Sequence, residues 1–332
     1  MDLNPASFDL LTIGDATVDV FLTLQKIDEH CRLDKERNEL CVKYGDKILV
    51  DDSQFLLGGN ACNVGVACSG LKINTAFVTE LGNDEFAEII LKGLKTENVN
   101  TSLVKETEGL RTNFAIILTF DREKVLFARH IPRSHDFSLD GILTKWVYLT
   151  SMGKEWKGAY QRTLDFVQKS GAKLAFNPGT TQLHEGLESF SDVVKRSDIL
   201  FLNKQEAMEI SNIKYQISNM KELLVQLKNM GSKNVVVTDN GNGSYMIDEN
   251  GKMFYIDIFP GEAIQKTGAG DAYTSGFLSA IISGGTVQDG MKWGAINSAA
   301  VIQKVGAQIG LLTIEQMDET LKANTEFRAR EI

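Results

Sequence analysis

Residues Ile264–Ala280 read "IQKTGAGDAYTSGFLSA", and the reading of this stretch decides the fold. Gly268, Ala269 and Gly270 leave the backbone bare just ahead of a run, "DAYTSGFLSAIIS", with the composition of a helix. Glycine costs conformational entropy on folding, so bare positions imply that something approaches the main chain. Unobstructed N–H groups and the positive end of a helix dipole together form an anion site. Asp271 has a simpler reading as the helix N-cap, which contributes about 1 kcal/mol. Capping leaves the bare residues unexplained. A carboxylate beside a phosphate-sized anion hole suits phosphoryl transfer. The amides neutralise charge on the migrating group while the carboxylate takes the proton of an attacking hydroxyl. With an ordinary pKa near ~4, such an Asp is ionised at neutral pH.

Outward from this stretch the chain alternates strands and helices. "FDLLTIGDATVDVFLTL" (Phe8–Leu24) reads as a buried strand, a turn at Gly14 and an alternating strand. Gln25–Ser53 is charged and ragged and reads as an excursion from the core. "NACNVGVACSGL" (Asn60–Leu71) suits a closely packed helix. "NFAIILTF" and "VLFARHI" flank a polar "DREK" turn and predict a β-hairpin. From Trp146 onward, strands such as "DILFLN" and "NVVVTDNG" alternate with helices. That rhythm predicts parallel βαβ units with helices on both faces of one sheet. Such folds bind ligands beyond the C-terminal ends of their strands.

The 332 residues suffice for one large α/β domain or two modest ones. A net charge of −9 argues against nucleic-acid binding by counterion release, while a small anion remains compatible because local amides can hold it. Cys31, Cys41, Cys62 and Cys68 form no CxxC pair. They read as thiols of a reducing compartment, with a Cys31–Cys41 disulfide or metal clip as the alternative. No apolar stretch approaches the ~18 residues of a membrane span and no signal-peptide pattern is present. The expected location is cytoplasmic, with no membrane partner.

Other groupings each have a plain reading beside a functional one. Gly58 and Gly59 before a helix make a turn, or let the chain approach a ligand; Asn60 and Asn63 there share a helix face. Asp19 is a strand-end carboxylate, of a type that can also accept two adjacent hydroxyls. Asn203 and Glu206 have the spacing of a helix-start pair. "TDNGNG" (Thr238–Gly243) has the composition of a hairpin turn.

Taken in order, "LLGGNACNVGVA" (Leu56–Ala67), "FLNKQEA" (Phe201–Ala207), "VVVTDNGNGS" (Val235–Ser244) and "KTGAGDAY" (Lys266–Tyr273) resemble the signatures of the ribokinase-like, or PfkB, family of carbohydrate and nucleoside kinases. The resemblance spans about Asp9 to Gly310. It implies a three-layer α/β fold, a mostly parallel central sheet with helices on both faces, plus a small β-sheet lid. Residues 8–15, 54–110 and 132–332 would form the core, and 16–53 with 111–131 the lid. Asp271 becomes the general base, with the amides of Gly268, Ala269 and Gly270 on the transferring phosphate. Gly58, Gly59, Asn63 and Asp19 hold the sugar, with Asp15 as a further partner. Asn203 and Glu206 organise Mg²⁺ and its waters beside the nucleotide phosphates; magnesium keeps waters and takes few direct ligands. Thr238, Asn240, Gly241, Gly243, Thr267 and Asn297 line the ATP site. Asn240 stands where relatives have Gly, and Asn tolerates a left-handed conformation.

A departure concerns K⁺. Many relatives have Asp-Thr-Thr before Gly-Ala-Gly-Asp, the Asp serving an activating K⁺. Here Gln265, Lys266 and Thr267 stand there, which puts potassium activation in doubt and offers Lys266 as the replacement cation. The lid would exclude water from the phosphoryl group, and its apolar outer face suits a homodimer through the lid. The expected function is ATP-dependent phosphorylation of a hydroxymethyl hydroxyl of a sugar or sugar derivative. Arg111 at the hairpin entry, with Arg129 and Arg133 nearby, would favour a sugar-phosphate kinase. Stacking by Phe21, Phe55 or Phe114 would favour a nucleoside kinase. A sugar- or nucleotide-sensing protein on the same fold is the alternative outside enzymes, and retention of Asp271 argues against it. A dinucleotide-binding oxidoreductase lacks its GxGxxG after the first strand.

Overall fold

Runs such as Ile199–Asn203 and Asn234–Thr238 alternate two apolar faces instead of one apolar and one polar, the pattern of strands buried on both sides. In the computed structural model, Ile199, Phe201 and Val236 enter one hydrophobic cluster, and Leu200, Leu202, Val235 and Val237 enter another on the opposite face. The structure describes residues 6–24, 31–34, 36–37, 39–120, 123–211 and 219–332.

Among the described residues, ten strands form one sheet. From one edge it runs Arg330–Glu331, Met253–Ile256, Ser244–Ile247, Asn234–Thr238 and Ile199–Asn203. It continues through Lys173–Phe176, Leu143–Leu149, Ser7–Ile13, Thr75–Gly82 and Val104–Thr107. Pairing is parallel from Asn234–Thr238 to Val104–Thr107 and antiparallel across the first three junctions. The helices Asn60–Gly70, Ala269–Ile282 and Val287–Val301 cover one face. Lys157–Ser170, Ser191–Arg196 and Met220–Asn229 cover the other. The layered α/β architecture and parallel centre are as the sequence predicts. The terminal Arg330–Glu331 strand and the short helices Thr180–Glu185 and Ser191–Arg196 carry too few residues to show a period, and the sequence pattern does not reveal them.

A separate four-stranded sheet, ordered Val50–Gly58, Thr17–Leu24, Phe114–Phe120, Glu123–Arg129, stands off the main one. Its first strand runs on to Gly58, so the diglycine is where the small sheet hands the chain to the helix Asn60–Gly70. Phe55, Leu126 and Phe127 are exposed on it, whereas Phe21 is buried and Phe114 packs on Phe86, ring centroids 5.5 Å apart. Within the ragged segment, Cys31–Asp34 pairs with Glu39–Val42. Cys31 packs there with Leu24 and Phe120, flanked by Leu33, Leu40 and Ile48, and no disulfide joins it to Cys41. Residues 25–30 of that segment, and Asp121–Arg122 of the expected hairpin turn, lie outside the described residues.

The helix that begins at the bare Gly-Ala-Gly stretch is buried along nearly its whole length, Ala272 to Ala280. Phe277 anchors it: the ring is fully buried and meets Phe201 edge-on, centroids 5.3 Å apart at 83°. Phe277→Ala is expected to cost about 3–5 kcal/mol through lost burial and the cavity left behind. Urea unfolding checks it, and an unchanged midpoint would mean that the ring does not hold this helix.

Candidate active site

The Ala269–Ile282 helix starts from Gly268, whose φ of 79° is left-handed and whose missing side chain makes room for Ala307: a Cβ would lie 2.6 Å from the Ala307 Cα. No side chain caps this N-terminus, although Asp84, Asn203, Asn219, Thr286 and Thr313 cap other helices. Asp271 is therefore not the cap. It sits in the first turn with Ala269 and Gly270, where helical N–H groups have no carbonyl one turn back; Ala269 makes only a long 3.4 Å bond to the Lys266 carbonyl. The turn opens onto a cleft of about 160 Å³ lined by Asn203, Glu206, Thr238, Lys266, Gly268–Asp271 and Thr274. Asn60, Asn177, Phe201 and Leu202 complete the wall. Below the ~300–1,000 Å³ of a small-molecule pocket, this is space for the phosphate end of a ligand.

Asp271 is held by Asn63, whose Nδ2 donates to Oδ2 at 2.8 Å. Burial pushes its carboxyl up to about 7; the Asn63 hydrogen bond opposes this, and the charges of Glu206 and Asp19 add to it. The sequence-based expectation of an ordinary carboxylate is thus revised by desolvation, which penalises the charged form. Glu206 and Asn203 form a reciprocal capping box, Asn203 Oδ1 accepting from the Glu206 N–H and Glu206 Oε2 from the Asn203 N–H, both at 2.9 Å. Burial also raises the Glu206 carboxyl. A carboxylate raised by burial on the wall of this cleft, with an amide beside it, is a donor set that fits a hard, water-rich cation such as Mg²⁺.

On the small sheet, Asp19 accepts from the Thr17 hydroxyl at 2.8 Å. Its carboxyl is raised by burial, against the Thr17 bond and the Lys124 charge. Gly58 packs on it so tightly that a Cβ there would lie 2.4 Å from a carboxylate oxygen. Lys124 Nζ donates to Thr267 Oγ1 at 2.6 Å, tying the hairpin to the residue before Gly268. In sequence Lys124 is hidden in the polar "DREK" stretch; in the structure it is already a strand residue, opposite Thr119.

Several other predicted residues have partners within the protein. Asp15 is buried, its Oδ2 accepting from the Gly153 N–H (2.9 Å) and Asn113 Nδ2 (3.3 Å), with His135 Nδ1 3.3 Å from Oδ1. Asn297 is fully buried between the Ala272 carbonyl, the Ser275 hydroxyl and the Leu312 N–H, and does not line the cleft. Arg111 projects to solvent, 3.9 Å from Glu85. Arg133 is buried and spends its guanidinium on the carbonyls of Glu80, Arg111 and Ile131 and on Asn113 Oδ1. Gly59 is the N-cap of the Asn60–Gly70 helix. Asn240 takes the left-handed conformation, φ 48°, in the exposed Asn240–Asn242 turn that also carries Gly241 and leads into the buried Gly243. Thr238, at the end of its strand, alone of this loop lines the cleft. Sequence reasoning missed Lys124, Asn177 and Gln308, which lie outside every recognised motif.

The pfkB family carbohydrate kinase model matches residues 24–314. The chain belongs to the pfkB family of carbohydrate kinases, ATP-dependent enzymes that phosphorylate sugars. It is 24% identical to a 5-dehydro-2-deoxygluconokinase of Clostridium perfringens, covering 96% of this chain and 94% of that one. It is 23% identical to an ATP-dependent 6-phosphofructokinase of Thermoanaerobacterium thermosaccharolyticum, covering 93% and 92%. The Arabidopsis thaliana ribokinase solved with ribose and ATP has the same fold, with a TM-score of 0.79 at 19% identity over 95% of this chain and 99% of that one. Among the described residues no helix is long and apolar enough to cross a membrane.

The electrostatics give a titration with a defined sign. Asp271 should titrate near 7 by carboxyl ¹³C NMR. Glu206→Gln, which removes a neighbouring negative charge, moves the midpoint down, and Asn63→Ala, which removes the hydrogen bond to the carboxylate, moves it up. A midpoint at the ordinary ~4 would refute the burial argument.

Proposed function

We propose that the enzyme transfers the γ-phosphoryl group of ATP to a hydroxymethyl hydroxyl of a sugar or sugar derivative, with Asp271 as general base. The observation that carries this reading is the raised Asp271 carboxyl in the first turn of an uncapped helix, on the wall of a phosphate-sized cleft. A base with a pKa near the working pH combines sufficient deprotonation with basicity. The first-turn amides of Gly268–Asp271 receive the charge of the migrating group. Asp19 accepts hydroxyls of the acceptor, with Thr17 orienting it and Thr17 and Lys124 opposing the rise that burial gives its carboxyl. Asn203 and Glu206 would hold Mg²⁺ through its waters, and the metal would supply charge neutralisation at the phosphates. Thr238 and the Asn240–Gly243 turn flank the nucleotide side. The Val50–Gly58, Thr17–Leu24, Phe114–Phe120 and Glu123–Arg129 strands act as the lid, with Phe55, Leu126 and Phe127 the surface for a homodimer through it.

Arg133 is occupied by main-chain carbonyls and Arg111 points to solvent beside Glu85, so two of the three arginines that would argue for a sugar phosphate are directed elsewhere, and Arg129 is exposed. A non-phosphorylated acceptor is the better reading. The assay is ADP release with 5-dehydro-2-deoxygluconate, ribose, fructose 6-phosphate and a nucleoside in parallel. At least one supports turnover, and Asp271→Asn lowers that rate by at least ~100-fold, the scale of general-base removal. Retained activity in the variant would defeat the mechanism.

Lys266 lines the cleft, and Gln265 is occupied by accepting the Gly306 N–H at 2.9 Å. Lys266 then supplies the cationic field that K⁺ would give. Rates in sodium, potassium and tetramethylammonium buffers should agree within about twofold, well inside the fivefold that 1 kcal/mol represents. A large potassium-specific rise would rule this out.

A further inference from the structure

We propose that Gln308 is a positioning residue for the reaction: its side-chain amide fixes the orientation of the Asn63 amide, and Asn63 in turn fixes Asp271. The proposal rests on the reading of Asp271 as the base. Gln308 Nε2 donates to Asn63 Oδ1 at 2.9 Å, and Asn63 Nδ2 donates to Asp271 Oδ2 at 2.8 Å. The second N–H of the same Gln308 nitrogen points at Cys62 Sγ, 3.8 Å away. The direction of this relay follows from chemistry. An ionised carboxylate only accepts hydrogen bonds, so Asn63 must present its NH₂ to Asp271, which turns its carbonyl oxygen the other way. Asn63 is buried, and a buried carbonyl oxygen without a donor is costly. Gln308 is that donor.

Without it, the Asn63 amide is free to turn over. The flipped amide sets its oxygen against Asp271, where it repels the carboxylate and accepts from the protonated acid. Gln308 thus favours the proton-free state of the base without touching substrate. Its own place is secured by the loop that carries it. Gly306 N–H donates to Gln265 Oε1 at 2.9 Å, and Ala307 fills the space left by the missing side chain of Gly268. One loop therefore packs against the anion-binding turn and aims the relay at its carboxylate.

The test is the pH profile of kcat/KM for Gln308→Met, which keeps the length and removes the donor, and Gln308→Lys, which keeps a donor. The Met variant is expected to move the acid limb up by roughly 0.5–1 pH unit and to lower the rate about fivefold on that limb, the scale of one hydrogen bond, with KM for ATP unchanged. The Lys variant leaves the limb at or below its wild-type position. In the Asp271→Asn background the Met substitution adds no further loss. An unmoved limb in the Met variant, or a Met effect undiminished in that background, would overturn the proposal. Full activity of Asp271→Asn alone would instead overturn the base assignment, so the two failures are distinguishable.

Discussion

The site depends on the desolvation of one carboxylate. Asp271 is placed where the helix Ala269–Ile282 meets the cleft, near the charges of Glu206 and Asp19 and with one hydrogen bond from Asn63 to hold it. Negative groups gathered in a low-dielectric wall repel one another, and their protonation states rise to relieve the repulsion. The same arrangement favours whatever positive charge enters. A carboxyl with a pKa near 7 would be an odd choice for a helix cap and a good one for moving a proton at neutral pH.

The rest of the fold keeps that charge in place. The sheet is apolar on both faces, so its strands cannot slip by one residue without exchanging their entire side-chain sets, and the cleft wall formed by Phe201, Leu202, Asn203 and Thr238 is rigid in register. Phe277 and its neighbours fix the helix against that sheet. The helix start is left uncapped, at a cost in stability of order 1 kcal/mol, while five other helices have side-chain caps. Its first turn is thereby left without a side-chain partner where it opens onto the cleft.

Much of this was legible in the sequence, for identifiable reasons. The double-faced strands carry period-two and run-length signals, and bare glycines mark the start of a helix, so the layered fold and the helix that begins beside Asp271 were readable. The acid strength of Asp271 was not, because burial is a property of the whole packing and not of a motif. Nor were the positions of Asp15 and Asn297, whose side chains turn to protein partners that come from distant parts of the chain. Lys124 was hidden by its company: a charged tetrapeptide between two apolar runs reads as a turn, and only the register of the hairpin puts it in a strand. Gln308 had no signal, since its meaning lies in a contact spanning 245 positions.

The bond from Lys124 to Thr267 has a mechanical corollary. It joins the tip of the small sheet to the residue immediately before the anion turn, and Lys124 also counterbalances Asp19. Any outward swing of that sheet must break this bond, whereas Asp19 and Lys124, both on the sheet, travel together. One ammonium group thus latches the small sheet to the start of the Ala269–Ile282 helix while serving as counter-ion to a carboxylate on its own side of the joint.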